Sequence, residues 1–197
     1  MQDNIQKQNT KQLVYNWITA NTGKADIPDD YYCESRDIFQ ARLDSMLLNL
    51  LSGGIPEESA YIISAIAGEI GNNSFDHNLG SWPDIMGIFF AYDVIDSKAE
   101  IFLADRGQGV FNTLKKVKKT LTTDTEALRV AFTERISGRT PENRGNGLKF
   151  VKESVKDKKM NLIFMSGNAQ AELNEEMTIK EIDKNISGCL AILKYKS

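Results

Sequence analysis

Apolar positions in this chain recur in two periods, three-and-four and two, and the two periods divide it into helices and strands. Residues 36–52 place Ile38, Phe39, Leu43, Met46, Leu47, Leu50 and Leu51 at helical spacing, and Gly53-Gly54 ends the run. Pro56 followed by Glu57 and Glu58 starts a second helix over about 56–78: proline suits the first helical position and acids suit the positive end of the helix dipole. Inside it Ile63, Ile66 and Ile70 form a stripe that must be buried. A shorter helix over 11–21 groups Leu13, Val14, Trp17 and Ile18 on one side. Residues 85–94 and 98–104 are rich in Ile, Phe, Tyr and Val and read as two strands joined at Asp96-Ser97-Lys98.

Residues 110–121 and 124–135 predict more polar helices, and another helix opens near Gly147 and reaches Lys156. Between them, Gly138 to Gly147 reads as a loop. Asn161 to Met165 and Cys189 to Tyr195 read as strands. The polar stretch 169–186 fits either a hairpin or an irregular excursion. A helical N-terminal third followed by mixed elements predicts an α/β sandwich, one sheet with helices on one face.

Composition narrows the function classes. With 197 residues, the length favours one domain, and 41% hydrophobic content excludes disordered and fibrous classes. Lys+Arg 24 against Asp+Glu 27 gives a net charge of −3, which argues against nucleic acid as a partner. No apolar run reaches bilayer-spanning length, and the polar start, Met1 to Thr10, is unlike a secretion signal. Cys33 and Cys189 lack metal-site spacing and read as reduced thiols, so a cytoplasmic protein is expected. The single histidine, His77, excludes most histidine-based metal and relay chemistry.

Three short patterns carry candidate chemistry. On the 56–78 helix, Glu69, Asn73 and His77 step by four, so they line one edge of a helix whose other edge is core. A carboxylate and a carboxamide one turn apart suit a hydrated divalent ion and a phosphate, although such a row is also an ordinary solvated face. Asp105-Arg106-Gly107-Gln108-Gly109 follows the second strand. There an acid can accept a hydrogen bond from an exocyclic amine, and glycines allow close backbone approach; ordinary turns share this composition. Arg144-Gly145-Asn146-Gly147-Leu148 opens a helix, where exposed N–H groups and the dipole suit a phosphate. It lacks the ending of a Walker loop. Arg139, Arg144 and Lys149 are the cations placed to reach a terminal phosphate.

In order and spacing, these patterns together resemble the GHKL ATPase superfamily of histidine-kinase-like ATP-binding domains. Glu69-Ile70-Gly71-Asn72-Asn73 resembles its N box, Asp105 to Gly109 its G1 box, and Gly145-Asn146-Gly147-Leu148 its G2 box. Continuation of the first box to His77 is closest to the kinase branch, including the anti-sigma serine kinases. The likeness covers about residues 55–197, leaving 1–54 as an N-terminal helical extension.

The resemblance implies a Bergerat fold: a two-layer α/β sandwich with a mixed sheet, helices on one face and, here, extra N-terminal helices. It implies ATP and Mg²⁺ as cofactors. Glu69 would be the general base or water orienter, and Asn73 would hold the metal. Asp105 would read the adenine amino group, and Gly107 and Gly109 would lie against base and ribose. Gly145 and Gly147 would admit the phosphates, joined by His77, Arg144, Leu148 and Lys149. Val110 to Asn143 would be a lid. Gly188-Cys189 departs from the Gly-Thr pair the superfamily often places on a late strand.

The function implied is a regulatory ATP-binding protein that hydrolyses ATP or transfers phosphate to a protein partner in trans. An ATP-gated interaction module without phosphorylation and a nucleotide-free interaction domain are the alternatives. The N-terminal helices are a candidate homodimer surface. As an enzyme it would be an ATPase or a serine/threonine kinase.

Overall fold

The computed structural model describes residues 2–135 and 147–196. Helix α1 (Gln2–Thr19) is followed by a single 3-10 turn, Asp29–Tyr31, and a two-residue strand β1 (Tyr32–Cys33). Two long helices come next, α2 (Arg36–Ser52) and α3 (Glu57–Asn78), then strands β2 (Ile88–Ile95) and β3 (Lys98–Asp105). Helices α4 (Gly109–Lys115), α5 (Asp124–Thr133) and α6 (Gly147–Asp157) precede strands β4 (Asn161–Leu173) and β5 (Met177–Tyr195).

The local reasons are visible at the element ends. Ser35 caps α2, its hydroxyl accepting from the Ile38 N–H at 3.3 Å. Thr123 does the same for α5 through the Glu126 N–H at 3.1 Å. Asp96 and Ser97, with φ 50° and 57°, make the tight left-handed turn that joins β2 to β3. Predicted helix 110–121 stops at Lys115, because the lysine-rich stretch beyond it offers no continuous apolar face.

The five strands form one sheet in the order β1-β2-β3-β5-β4. Every pairing is antiparallel, which differs from the mixed sheet expected. Stretch 169–186 is a hairpin: β4 and β5 run on together past the sheet, with register shifts at Ser166, Gly167 and Ala169.

Strand alternation sends side chains to two cores. On one face Phe90, Ile101, Leu103, Phe164 and Leu193 pack under α2, α3, α5 and α6, the α/β sandwich layer. Phe39 of α2 meets Phe90 edge-on, with ring centroids 5.2 Å apart. On the other face Phe89, Phe102, Leu190 and Ile192 pack against Val14, Trp17 and Ile18 of α1. The N-terminal extension is therefore split: α2 shares the main core with α3, and α1 covers the opposite side of the sheet. No described helix is long and apolar enough to cross a membrane.

Candidate functional site

Helix α3 is the spine of the candidate site. Its Ile63, Ile66 and Ile70 are buried as the stripe requires. Toward the C-terminus the stripe turns polar: Ser74 and Asn78 continue it at four-residue spacing from Ile70. They meet Asp105 at the end of β3. Ser74 donates its hydroxyl to Asp105 Oδ2 at 2.7 Å, and Asn78 Nδ2 approaches Oδ1 at 3.4 Å. The Gly107 N–H donates to the same Oδ1 at 2.8 Å.

Asp105 is only 2% exposed. Among the described residues no cation pairs with it, because Arg106 turns instead to Asp84. Burial pushes the Asp105 carboxyl above the usual carboxylate range, while these hydrogen bonds pull it back down. A buried acid kept in a sheet end without a counter-ion is the kind of group that marks a binding site.

Loop 105–109 is stitched to α3. The Gln108 N–H donates to Asn78 Oδ1 at 2.8 Å, and Gln108 Nε2 donates to the His77 carbonyl at 2.8 Å. Gly107 is required by this packing, since a Cβ there would collide with the Asn78 carboxamide. Gly109 adopts φ +75°, a conformation that favours glycine, and lies beside Ser166.

From β5, Gly188 presses on the same centre, and a Cβ there would come within 2.6 Å of the Gly107 nitrogen. Cys189 sits opposite Asp105 in register. Burial first, and then the neighbouring carboxylate, push its thiol well above the ordinary range. The hydroxyl beside this pair comes from Ser166 of β4. It donates to the Gly188 carbonyl at 2.7 Å and accepts from the Val110 N–H at 3.0 Å.

The other end of the spine meets α6. Glu69 is exposed and Asn73 and His77 are half-buried. A Cβ on Gly147, the first residue of α6, would collide with the Glu69 carboxylate and lie 3.6 Å from Asn73 Nδ2. Glu69, Asn73 and Gly147 thus come together although far apart in sequence. Leu148 packs against the main core, and Lys149 is half-buried in the first turn of α6. Arg139, Arg144 and Gly145 lie outside the described residues, as does the end of the predicted lid.

A cavity of about 390 Å³ adjoins the 105–109 loop, lined by Gly107, Gly109, Asp84, Asp124, Ser166 and Gly188 among others. It does not include Glu69, Asn73, Asp105 or Gly147. Among the described residues no group of three or more His, Cys, Asp or Glu could hold a metal ion. A divalent ion at Asn73 would have to take its remaining ligands from water and from a bound phosphate, the usual manner of Mg²⁺.

Sequence reasoning missed Ser74, Asn78 and Ser166, whereas Gly188-Cys189 was singled out by the resemblance. For the first two a signal existed, the polar continuation of the Ile63, Ile66, Ile70 row. Ser166 reaches the site only through strand pairing, which no local pattern announces. No model of a known protein family matches the chain, and no curated protein matches it either.

Proposed function

We propose that this protein binds Mg-ATP along the polar edge of α3 and either hydrolyses it or transfers its terminal phosphate to a partner protein. The observation that carries this reading is the convergence of two distant segments on one helix. Ser74 and Asn78 grip the buried, uncompensated Asp105, and Glu69 and Asn73 face the start of α6 at Gly147.

Between Asn78 and Glu69 the helix rises roughly 13 Å, room for a base at one end and phosphates at the other. Asp105, a carboxylate held by Ser74, Asn78, the Gly107 N–H and the Cys189 thiol, is the acceptor for an exocyclic amine. N–H groups at the start of α6 receive phosphate oxygens, with Lys149 adding charge. Glu69 orients the attacking hydroxyl or water and accepts its proton. Mg²⁺, when bound, would be held by Asn73 and would neutralise phosphate charge. Most of the rate in such chemistry comes from positioning, so a small domain is sufficient.

Calorimetry with ATP and Mg²⁺ tests the reading, and no binding at roughly millimolar nucleotide would falsify it. Replacing Glu69 by Gln is expected to keep binding and to lower turnover by ~10²-fold or more. Unchanged turnover in that variant removes Glu69 as the base. γ-Labelled ATP distinguishes the two outcomes of turnover: label on protein means a kinase, and label released as free phosphate means an ATPase.

A further inference from the structure

The residue after Asp105 points the other way through the sheet. Arg106 is 2% exposed, and every arm of its guanidinium is engaged. Nε donates to Asp84 Oδ2 at 2.6 Å, Nη1 to the Trp17 carbonyl at 2.6 Å, and Nη2 to the Ala20 carbonyl at 2.8 Å. Its charge also lies 5.9 Å from the centre of the Trp17 ring. Trp17 is in the last turn of α1 and Ala20 just follows it, so Arg106 takes the Ala20 carbonyl past the helix end and shares the Trp17 carbonyl with the Ala20 N–H. Asp84 in turn accepts from the Gly23 N–H at 3.4 Å. One buried side chain therefore joins the end of α1, the loop before β2 and the loop that carries Asp105 and Gly107.

Such a joint cannot be opened on one side alone. Arginine stays charged at any ordinary pH. If α1 left the sheet, Arg106 would lose both carbonyls and remain buried with one carboxylate, a costly state. Loop 105–109 would shift to bring the guanidinium to water. That shift would disturb the Gly107 N–H on Asp105 and the Asn78 carboxamide on Gln108. Conversely, a ligand that holds 105–109 in place holds the acceptor arrangement that α1 needs.

We propose that α1 is a strap whose docking on the outer sheet face is coupled, through Arg106, to nucleotide occupancy at Asp105. Nucleotide tightens the strap, and loosening the strap weakens nucleotide binding by the same factor. The coupling rests on the nucleotide reading above.

The test is amide hydrogen exchange at residues 10–19 of the full chain, with calorimetry on the same samples. Mg-ATP is expected to slow exchange there by about 5-fold or more, the lower end of ordinary couplings. Arg106→Gln is expected to speed exchange at 10–19 even without nucleotide. Ile18→Val, a mild change on the strap's buried face and remote from the site, is expected to weaken Mg-ATP binding measurably. Binding of Mg-ATP with unchanged exchange at 10–19 overturns the coupling and leaves the nucleotide reading standing. Unchanged nucleotide-free exchange in Arg106→Gln removes Arg106 as the joint. Failure of the wild type to bind Mg-ATP overturns both the nucleotide reading and the coupling.

Discussion

Asp105 is held against its own electrostatics, and that has a measurable sign. Its carboxyl titrates above the ordinary range in the folded chain because it is buried. The native state therefore keeps its proton to higher pH than the unfolded state does. Where one state holds the proton and the other has lost it, stability falls as pH rises. The window opens near the ordinary value of 3.8 and closes at the raised folded value. Asp105→Asn removes the ionisation and can keep the pattern: its amide oxygen still accepts from Gly107 and Asn78, and its nitrogen can donate to Ser74. Melting curves should show the variant at least as stable as the wild type at pH 7, with the gain shrinking toward pH 4. Calorimetry should show it unable to bind Mg-ATP. A variant that melts lower at pH 7 than at pH 4, relative to wild type, contradicts this account of Asp105. At Cys33, burial in the main core pushes the thiol up to about 11, which disfavours the thiolate.

Among elements, the contact between α2 and α3 is the tightest test of packing. Gly71 lies where α3 passes the Phe39 ring, and a Cβ there would collide with that ring. Phe39 is boxed in by Phe75 and Phe90, so it has little room to yield. Gly71→Ala is expected to cost about 1–3 kcal/mol, read as a lower denaturant midpoint with an unchanged slope. The two helices involved were legible in the sequence, because a period of three and four was bracketed by Gly53-Gly54 and Pro56. The β4–β5 extension was not. Its inward positions include the small residues Ala169 and Ala171, which have little strand preference, and its outward ones are polar or charged, so the alternation is faint. In the candidate site the row Glu69, Asn73, His77 was legible as a regular spacing on one helix. Ser166 and the grip of Arg106 on α1 were not, since each depends on a partner brought near only by the sheet. The apolar side of α1 could be read at Val14, Trp17 and Ile18, but not the sheet face it would cover.

At the scale of the molecule, two cores share one set of strands, one core under α2, α3, α5 and α6 and the other under α1. Losing part of either should therefore weaken the whole in one step. Trp17→Ala empties the largest fully buried side chain of the outer core. It is expected to cost ~3–5 kcal/mol, with circular dichroism and fluorescence transitions still coinciding. A separate early transition for α1 would mean that the outer layer folds on its own. Surface ion pairs matter far less. Lys158→Ala, which frees the exposed Glu58, should shift stability by no more than about 0.5 kcal/mol.

The order of strands also sets a schedule for synthesis. β5 lies between β3 and β4, yet it is the last of the five strands to leave the ribosome. Until residues 177–195 have emerged, the β2–β3 ribbon has one bare edge, and Asp105 stands in water without Gly188 beside it. A nascent chain cannot complete the surroundings of Asp105 before that strand is inserted. A chaperone or protease meeting the chain in that interval would find an open strand edge to hold or to cut.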